Sequence, residues 1–377
     1  TSGTLVIDNV SVKEVIENNV PRIDYTSGCG KLLLEKQSTN LVTYSSEFDN
    51  AAWSKLNSST ITANTSISPS GVQDADKYQA SSLSFGGILR QSITITSGTT
   101  YTFSFFCKKD NYRYVGIRFN TAINGVRVTT YDFDTDTLNT QGATGVTLSR
   151  ELFSNGWVRL ILTYTTTTTV GTTDIVIASA NGNTETTLTG TESILVWGAQ
   201  LEAGAYATSY IPTLASSVTR LADSASKSGI SSLIGQTEGV VFVEYEQKLV
   251  SQSATRRVFA LNDGTTSNRI TIYINTGNKI EFYVRNSGGD LFLASAATAG
   301  NTTGTHKIAA AYKNGDYAVY MDGVQIISGA GTAGTIPTCS RLDLGNQLGA
   351  NDLFEPIQSA ILYTTRLTND QLADLTG

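Results

Sequence analysis

Three short turns constrain this chain more than any other feature. Asn275-Thr-Gly-Asn278, Asn314-Gly315 and Asp322-Gly323 each lie between two runs of alternating apolar residues. Asn-Gly and Asp-Gly supply the positive φ that a tight hairpin needs, so antiparallel strands must flank them. Ile270-Thr-Ile-Tyr-Ile274 therefore turns into Ile280-Glu-Phe-Tyr-Val284. Lys307-Ile-Ala-Ala-Ala-Tyr312 turns into Tyr317-Ala-Val-Tyr-Met321, and that strand turns again into Val324-Gln-Ile-Ile327. Alternation at period two puts one face of each strand into a core.

The same signal recurs upstream. Ile88–Ile95, Thr100–Cys107, Tyr114–Phe119, Gly156–Tyr164, Asp174–Ala178 and Ser193–Leu201 are short apolar runs bounded by Gly, Asn and Ser. Tyr101, Phe103 and Phe105 share one face. Such spacing predicts an all-β chain of two antiparallel β-sandwich (jelly-roll) domains in tandem. Residues 1–30 read as the terminal strand of an upstream module plus a connector, with apolar Leu5, Ile7, Val10, Val12 and Val15. Residues 31–212 form the first sandwich, 213–238 a short linker with room for one helical turn between Ala222 and Ile234, and 239–377 the second. Leu367–Leu375 reads as a short terminal helix capped by Thr368 or Asn369. The start at Thr1 without methionine suggests a fragment or processed product.

Composition removes several function classes. The net charge is −6 and charged residues make up 15% of 377, so no basic stripe exists for nucleic acid. Arg256-Arg257, the densest basic pair, reads as a solvated strand end. Cys29, Cys107 and Cys339 are widely spaced and read as free thiols. No apolar run reaches about 18 residues, so no membrane insertion is expected.

Catalysis has little to work with. His306 is the one histidine. It stands at the start of a strand with no acid near it in sequence, and it reads as a surface residue rather than part of a triad. Zinc would need several imidazole or thiolate ligands together. Asp132-Phe-Asp-Thr-Asp136 reads as a strand end and turn rather than a cation site. Glu244 and Glu246 share one face of a strand, which leaves a glycoside-hydrolase arrangement as an alternative.

Aromatic residues are the better lead for binding, because sugar rings stack on them while polar groups take the hydroxyls. Trp157 and Trp197 fall in apolar strands and read as core. Trp53, Tyr112, Tyr114 and Tyr131 are the candidates for a carbohydrate-binding face in the first domain. In the second, the loops offer Asp263, Asn268, Asn286, Asp290, Asn346, Asn351 and Asp352.

Three stretches resemble bacteriophage tail-fibre and minor structural proteins. They are Leu32-Leu-Leu-Glu-Lys-Gln-Ser-Thr-Asn-Leu-Val-Thr-Tyr-Ser-Ser-Glu-Phe48, Val196-Trp-Gly-Ala-Gln-Leu-Glu-Ala-Gly-Ala-Tyr-Ala-Thr-Ser-Tyr-Ile-Pro-Thr213 and Thr219-Arg-Leu-Ala-Asp-Ser-Ala-Ser-Lys-Ser-Gly-Ile230. Together they mark a domain similar to the carbohydrate-binding-module jelly rolls of such proteins. The segment from Val240 onward resembles a laminin-G or concanavalin A-like lectin sandwich, chiefly through His306–Tyr312 and Tyr320-Met-Asp-Gly-Val324.

The resemblance implies a virion appendage protein that adheres to a bacterial surface polysaccharide without catalysis. It also implies other virion proteins as partners and a homo-oligomer such as a trimer. Two other readings stand beside it: a purely architectural capsid, neck or tail decoration, and a glycan depolymerase. Lectin-like relatives often hold calcium through an ordered Asp/Asn cluster. That cluster is not matched residue by residue here, and no cofactor is expected.

Overall fold

The computed structural model describes residues 21–24, 30–81, 87–120, 127–140, 145–177, 188–247, 255–296, 302–348, 353 and 355–377. The expected strand near Leu5–Val15 and Cys29 lie outside them. The described chain is almost entirely antiparallel β, with a single α-helix. It divides into two compact units, one holding Gln37–Arg220 and the other Glu17–Lys36 with Leu221–Gly377.

The first unit is a sandwich of two six-stranded sheets. One runs, in spatial order, Thr137–Asn139, Arg127–Asp132, Tyr114–Asn120, Val170–Val176, Ile88–Thr94 and Ser54–Leu56. The other runs Val146–Leu152, Trp157–Thr165, Thr100–Lys109, Ser193–Ala203, Gln73–Gln79 and Thr60–Ile67. Tyr101, Phe103, Phe105 and Cys107 project from one face of their strand into the core between the sheets, against Leu89, Ile117, Leu160 and Ile175. Trp157 and Trp197 are buried with Phe106 in a second cluster, as expected of core residues. Gly198, at φ 61°, sits where the Ser193–Ala203 strand breaks register, and a Cβ there would press on the Phe106 ring at 3.0 Å.

A buried polar network joins two of the stretches singled out by resemblance. Glu202 accepts hydrogen bonds from Gln200 (2.8 Å), from the Thr208 amide (2.7 Å) and hydroxyl (2.8 Å), and from the Ser38 hydroxyl. Asn40 donates to the carbonyls of Ala199 and Ile211 and accepts from the amides of Val42 and Leu201. Buried polar groups persist only when satisfied this way. These polar residues use their hydrogen bonds to hold the two stretches together.

The second unit pairs a seven-stranded sheet with a six-stranded one. The larger sheet runs Arg22–Asp24, Lys31–Leu33, Ile357–Tyr363, Glu238–Gln247, Gly304–Lys313, Tyr317–Met321 and Val324–Gly329. The smaller runs Ala225–Ser228, Arg341–Leu344, Arg256–Asn262, Arg269–Ile274, Ile280–Asn286 and Gly289–Ser295. Their facing sides interdigitate in one core, with Val241, Tyr245, Phe259, Ile272, Phe282, Ile308 and Val319 among its members. Asp322 (φ 50°) and Gly323 (φ 79°) make the expected tight turn. The helix Asn369–Thr376 is capped by Thr368 in a reciprocal box with Gln371, and its Leu372 covers Val240 and Phe242 on the sheet's outer side.

Two expectations about the boundaries change. Lys31–Leu33, assigned to the first domain, pairs into the second unit's large sheet. The stretch read as a linker contributes two strands, Val218–Arg220 to the first unit and Ala225–Ser228 to the second. Its helical turn is present, as a 3-10 turn at Ser231–Leu233.

Candidate functional site

The first unit keeps only part of its expected aromatic face. Trp53 is 1% exposed; its indole packs on Phe48 and its N–H donates to the Tyr44 carbonyl at 3.0 Å. Tyr131 is also buried, against Phe133, with its hydroxyl donating to Asp136 at 2.8 Å. Both are core residues and offer no stacking surface. The polar loop around Trp53 concealed this, because an indole in a short loop can still fold inward.

Tyr112 and Tyr114 remain half-buried at the start of an inner strand, Tyr114–Asn120, with rings 6.1 Å apart. Between them Arg113 forks onto Asp132 with two 2.7 Å bonds and lies 5.1 Å from the Tyr114 ring. That guanidinium holds the Asp132 carboxyl well below the usual carboxylate range. The Asp132–Asp136 segment is the expected strand end and turn. Its carboxylates are engaged by Arg113, Lys109 and Arg150. Among the described residues no three His, Cys, Asp or Glu side chains cluster to hold a metal ion.

The second unit gathers more. A bulge at Val258 lets both Val258 and Phe259 enter the core, so Arg257 and Ala260 share the outer face of the six-stranded sheet. Cross-strand register then builds three rows on that face. Arg257, Tyr273, Glu281 and Ser295 form one; Ala260, Thr271, Tyr283 and Leu293 form the next; Asn262, Arg269, Arg285 and Asp290 form the third. The face opens to solvent in part: Leu293 is 55% exposed and Tyr273 and Arg269 are half-buried, while Arg257 and Tyr283 are buried. Ser295 and Asn275 donate to Glu281 at 2.7 Å each, and the Tyr273 hydroxyl also bonds it. Burial would raise the Glu281 pKa, but these donors outweigh it and lower it.

Four of the expected loop residues meet at one end of this face. Asn268 donates to Asp263 at 2.6 Å and accepts from the Ser287 amide at 2.6 Å. Asn286 donates to the Thr335 carbonyl at 2.8 Å. Asp290 accepts from the Tyr283 hydroxyl and stands 3.5 Å from Arg285. Asn346 is buried away from them, and Asn351 and Asp352 lie outside the described residues. Sequence reading missed the face itself, Arg257, Arg269, Tyr273, Glu281 and Tyr283. Its signal was the polar phase of Arg269–Ile274 and Ile280–Asn286, whose apolar phase had already been used to find the core.

Two further corrections concern single residues. Arg256 and Arg257 are not a solvated strand end: both are buried, Arg256 toward the interior and Arg257 on the outer face. His306 is also buried, and strand pairing brings Asp322 to 2.7 Å from its Nδ1, an acid 16 residues away in sequence. Its Nε2 is 3.0 Å from the Thr302 carbonyl and 3.2 Å from that residue's hydroxyl. Glu244 and Glu246 do share a face, but Glu246 pairs with Lys31 at 3.0 Å.

Residues 247–371 match the family described as the concanavalin A-like lectin/glucanases superfamily. No curated protein matches the chain. Among solved structures, the chain is similar to the CBM40 of the Ruminococcus gnavus IT-sialidase, at 16% identity and TM-score 0.33, over 41% of this chain and 98% of that one. The same module bound to α2,3-sialyllactose gives 17% identity, TM-score 0.33 and the same coverage. Domain 4 of AbnA, an extracellular arabinanase of Geobacillus stearothermophilus in complex with arabinotriose, gives 19% identity, TM-score 0.32, 43% of this chain and 73% of that one. Likenesses this distant carry nothing about ligand.

Proposed function

We propose that this chain is a non-catalytic glycan-adhesion protein whose second unit binds sugar on the outer face of its six-stranded sheet. The observation that carries this reading is the set of cross-strand rows on that face. They place Tyr273 and Tyr283 among Glu281, Arg257, Arg269 and Asp290, with amide side chains at the rim. Aromatic planes among a few fixed polar groups are what a sugar ring needs. The lectin-like family match over the same unit supports it. Adhesion of this kind needs no acid, base or cofactor.

The finer reading follows the sequence resemblance. The chain would belong to a bacteriophage virion appendage such as a tail fibre, working outside the cell against a bacterial surface polysaccharide. Repeated copies in a homo-oligomer would raise weak single-site affinity through avidity.

The test is glycan-array binding by the full chain, with product analysis of every bound glycan. Binding without release of shortened oligosaccharide is expected. Turnover of a bound glycan that is lost in Glu244→Gln would replace adhesion by hydrolysis. Binding that survives Tyr273→Ala would move the site off this face.

A further inference from the structure

Arginines on both units have carboxylate partners. Arg90 meets Asp174, Arg341 meets Asp343 and Arg366 meets Asp316, all within 2.7 Å. Arg257 and Arg269 are different. Neither makes an ion pair with any described residue. Arg257 is 9% exposed, lies 4.7 Å from the Tyr273 ring centroid and reaches the Thr271 hydroxyl only at 3.4 Å. Arg269 lies 4.6 Å from the Tyr283 ring centroid and has no hydrogen-bond acceptor among the described residues. The carboxylate that acts on Arg257, Glu281, is already engaged by Tyr273, Ser295 and Asn275.

A buried cation without a carboxylate in direct contact is costly, and a second cation close by makes it costlier. Burial, then the neighbouring Arg269, press the Arg257 guanidinium down to about 10. An incoming anion would offset the burial cost by direct attraction and hydrogen bonds and would screen the repulsion between the two cations. The surroundings select its kind. The half-buried Tyr273 gives a plane for a ring, so the charge arrives on a sugar, while Tyr283 lies buried under Arg269. Glu281 and Asp290 border the pair, which disfavours a doubly charged phosphate and tolerates a single carboxylate.

Resting on the glycan reading above, we propose that Arg257 and Arg269 receive the carboxylate of an acidic sugar residue, with Tyr273 beside its ring. Guanidinium and carboxylate match in geometry and can share two parallel hydrogen bonds.

The experiment is calorimetric titration of the full chain with acidic oligosaccharides and their methyl esters. Oligogalacturonate, hyaluronan fragments and sialyllactose serve as acids, and lactose and arabinotriose as neutral controls. At least one acid should bind about tenfold or more tightly than its ester, as losing one charge-assisted bond requires. Arg269→Gln should erase that difference, and Arg269→Lys should restore part of it. Arg269 is the residue replaced because it is half-buried, whereas Arg257 is buried and its loss would threaten folding. Equal binding of acid and ester, or binding of neutral glycans alone, would overturn the inference and leave the glycan reading standing. Binding of no glycan would overturn both. An acid preference unchanged in Arg269→Gln would overturn this assignment too.

Discussion

Arg257 and Tyr273 are direct cross-strand partners, and the guanidinium carbon lies 4.7 Å from the ring centroid. One strand over, Arg269, whose direct partner is Arg285, reaches diagonally over the Tyr283 ring at 4.6 Å. Arg257 reaches this face because the Val258 bulge turns it outward, into phase with Thr271 and Tyr273. Each stacked pair braces an aromatic ring on an open sheet face, which limits the order a ligand must impose on binding.

Tyr273→Ala should therefore weaken glycan binding about 30-fold, the loss expected at an aromatic hot spot of about 2 kcal/mol. Tyr273→Phe should lose less, because the ring stays and only the bond to Glu281 goes. Calorimetry on the best array ligand measures both. Equal losses would mean that the hydroxyl, not the ring, carries recognition.

The Glu202 network predicts a purely structural effect. Glu202→Ala leaves the Ser38 and Thr208 hydroxyls and the Thr208 amide without their acceptor in a buried site. The cost should be about 3 kcal/mol or more, at about 1–3 kcal/mol per abandoned group. Trp53, Trp157 and Trp197 are the only tryptophans and all lie in the first unit. Their fluorescence in a urea titration reports that unit alone. Glycan binding by the second unit should not change.

Asp76 predicts a pH dependence. Its side chain is buried, and although the amides of Phe48 and Asn64 donate to it at 2.9 Å each, burial wins and raises its pKa to about 6 from 3.8. Between those values the folded state holds a proton that the unfolded chain has released. Stability of the first unit should thus fall as pH rises from about 4 to about 6, by up to about 3 kcal/mol from this group, and level off above. Tryptophan-detected unfolding across that window, compared with Asp76→Asn, isolates the effect. A matching slope in the variant would assign it to another group.

Gly235 predicts a steric failure in the second unit. A Cβ there would fall 1.8 Å from the Glu238 carbonyl oxygen and 2.5 Å from that of Thr364. Its own carbonyl accepts the Tyr312 hydroxyl at 2.8 Å, so the backbone has little freedom to retreat. Gly235→Ala should cost about 3 kcal/mol, read by circular dichroism on heating. Gly264→Ala serves as the control, since its Cβ meets nothing within 4 Å and only its φ of 93° is strained.

Much of the architecture was legible in the chain. Asp322-Gly323 and Asn314-Gly315 fixed their hairpins, and alternation placed Phe103, Phe105, Ile272 and Phe282 in cores, because turn chemistry and period two act locally. The site was less legible. Asp263, Asn268, Asn286 and Asp290 were found as polar loop residues, but nothing in their spacing showed that Asn268 and Ser287 would meet. Trp53 and Tyr131 looked available and are buried, since a residue's neighbours along the chain do not reveal what packs over it.

By itself, then, the sequence determined that this chain is mainly β with a short terminal helix, where several of its hairpins turn and which phase of each strand is apolar. Only the tertiary structure decided which strands lie side by side, and with that the fate of every polar residue. Arg257 meets Tyr273 and His306 meets Asp322 because register across strands sets those distances. A single inserted residue at Val258 shifts that register and changes which side chains face out.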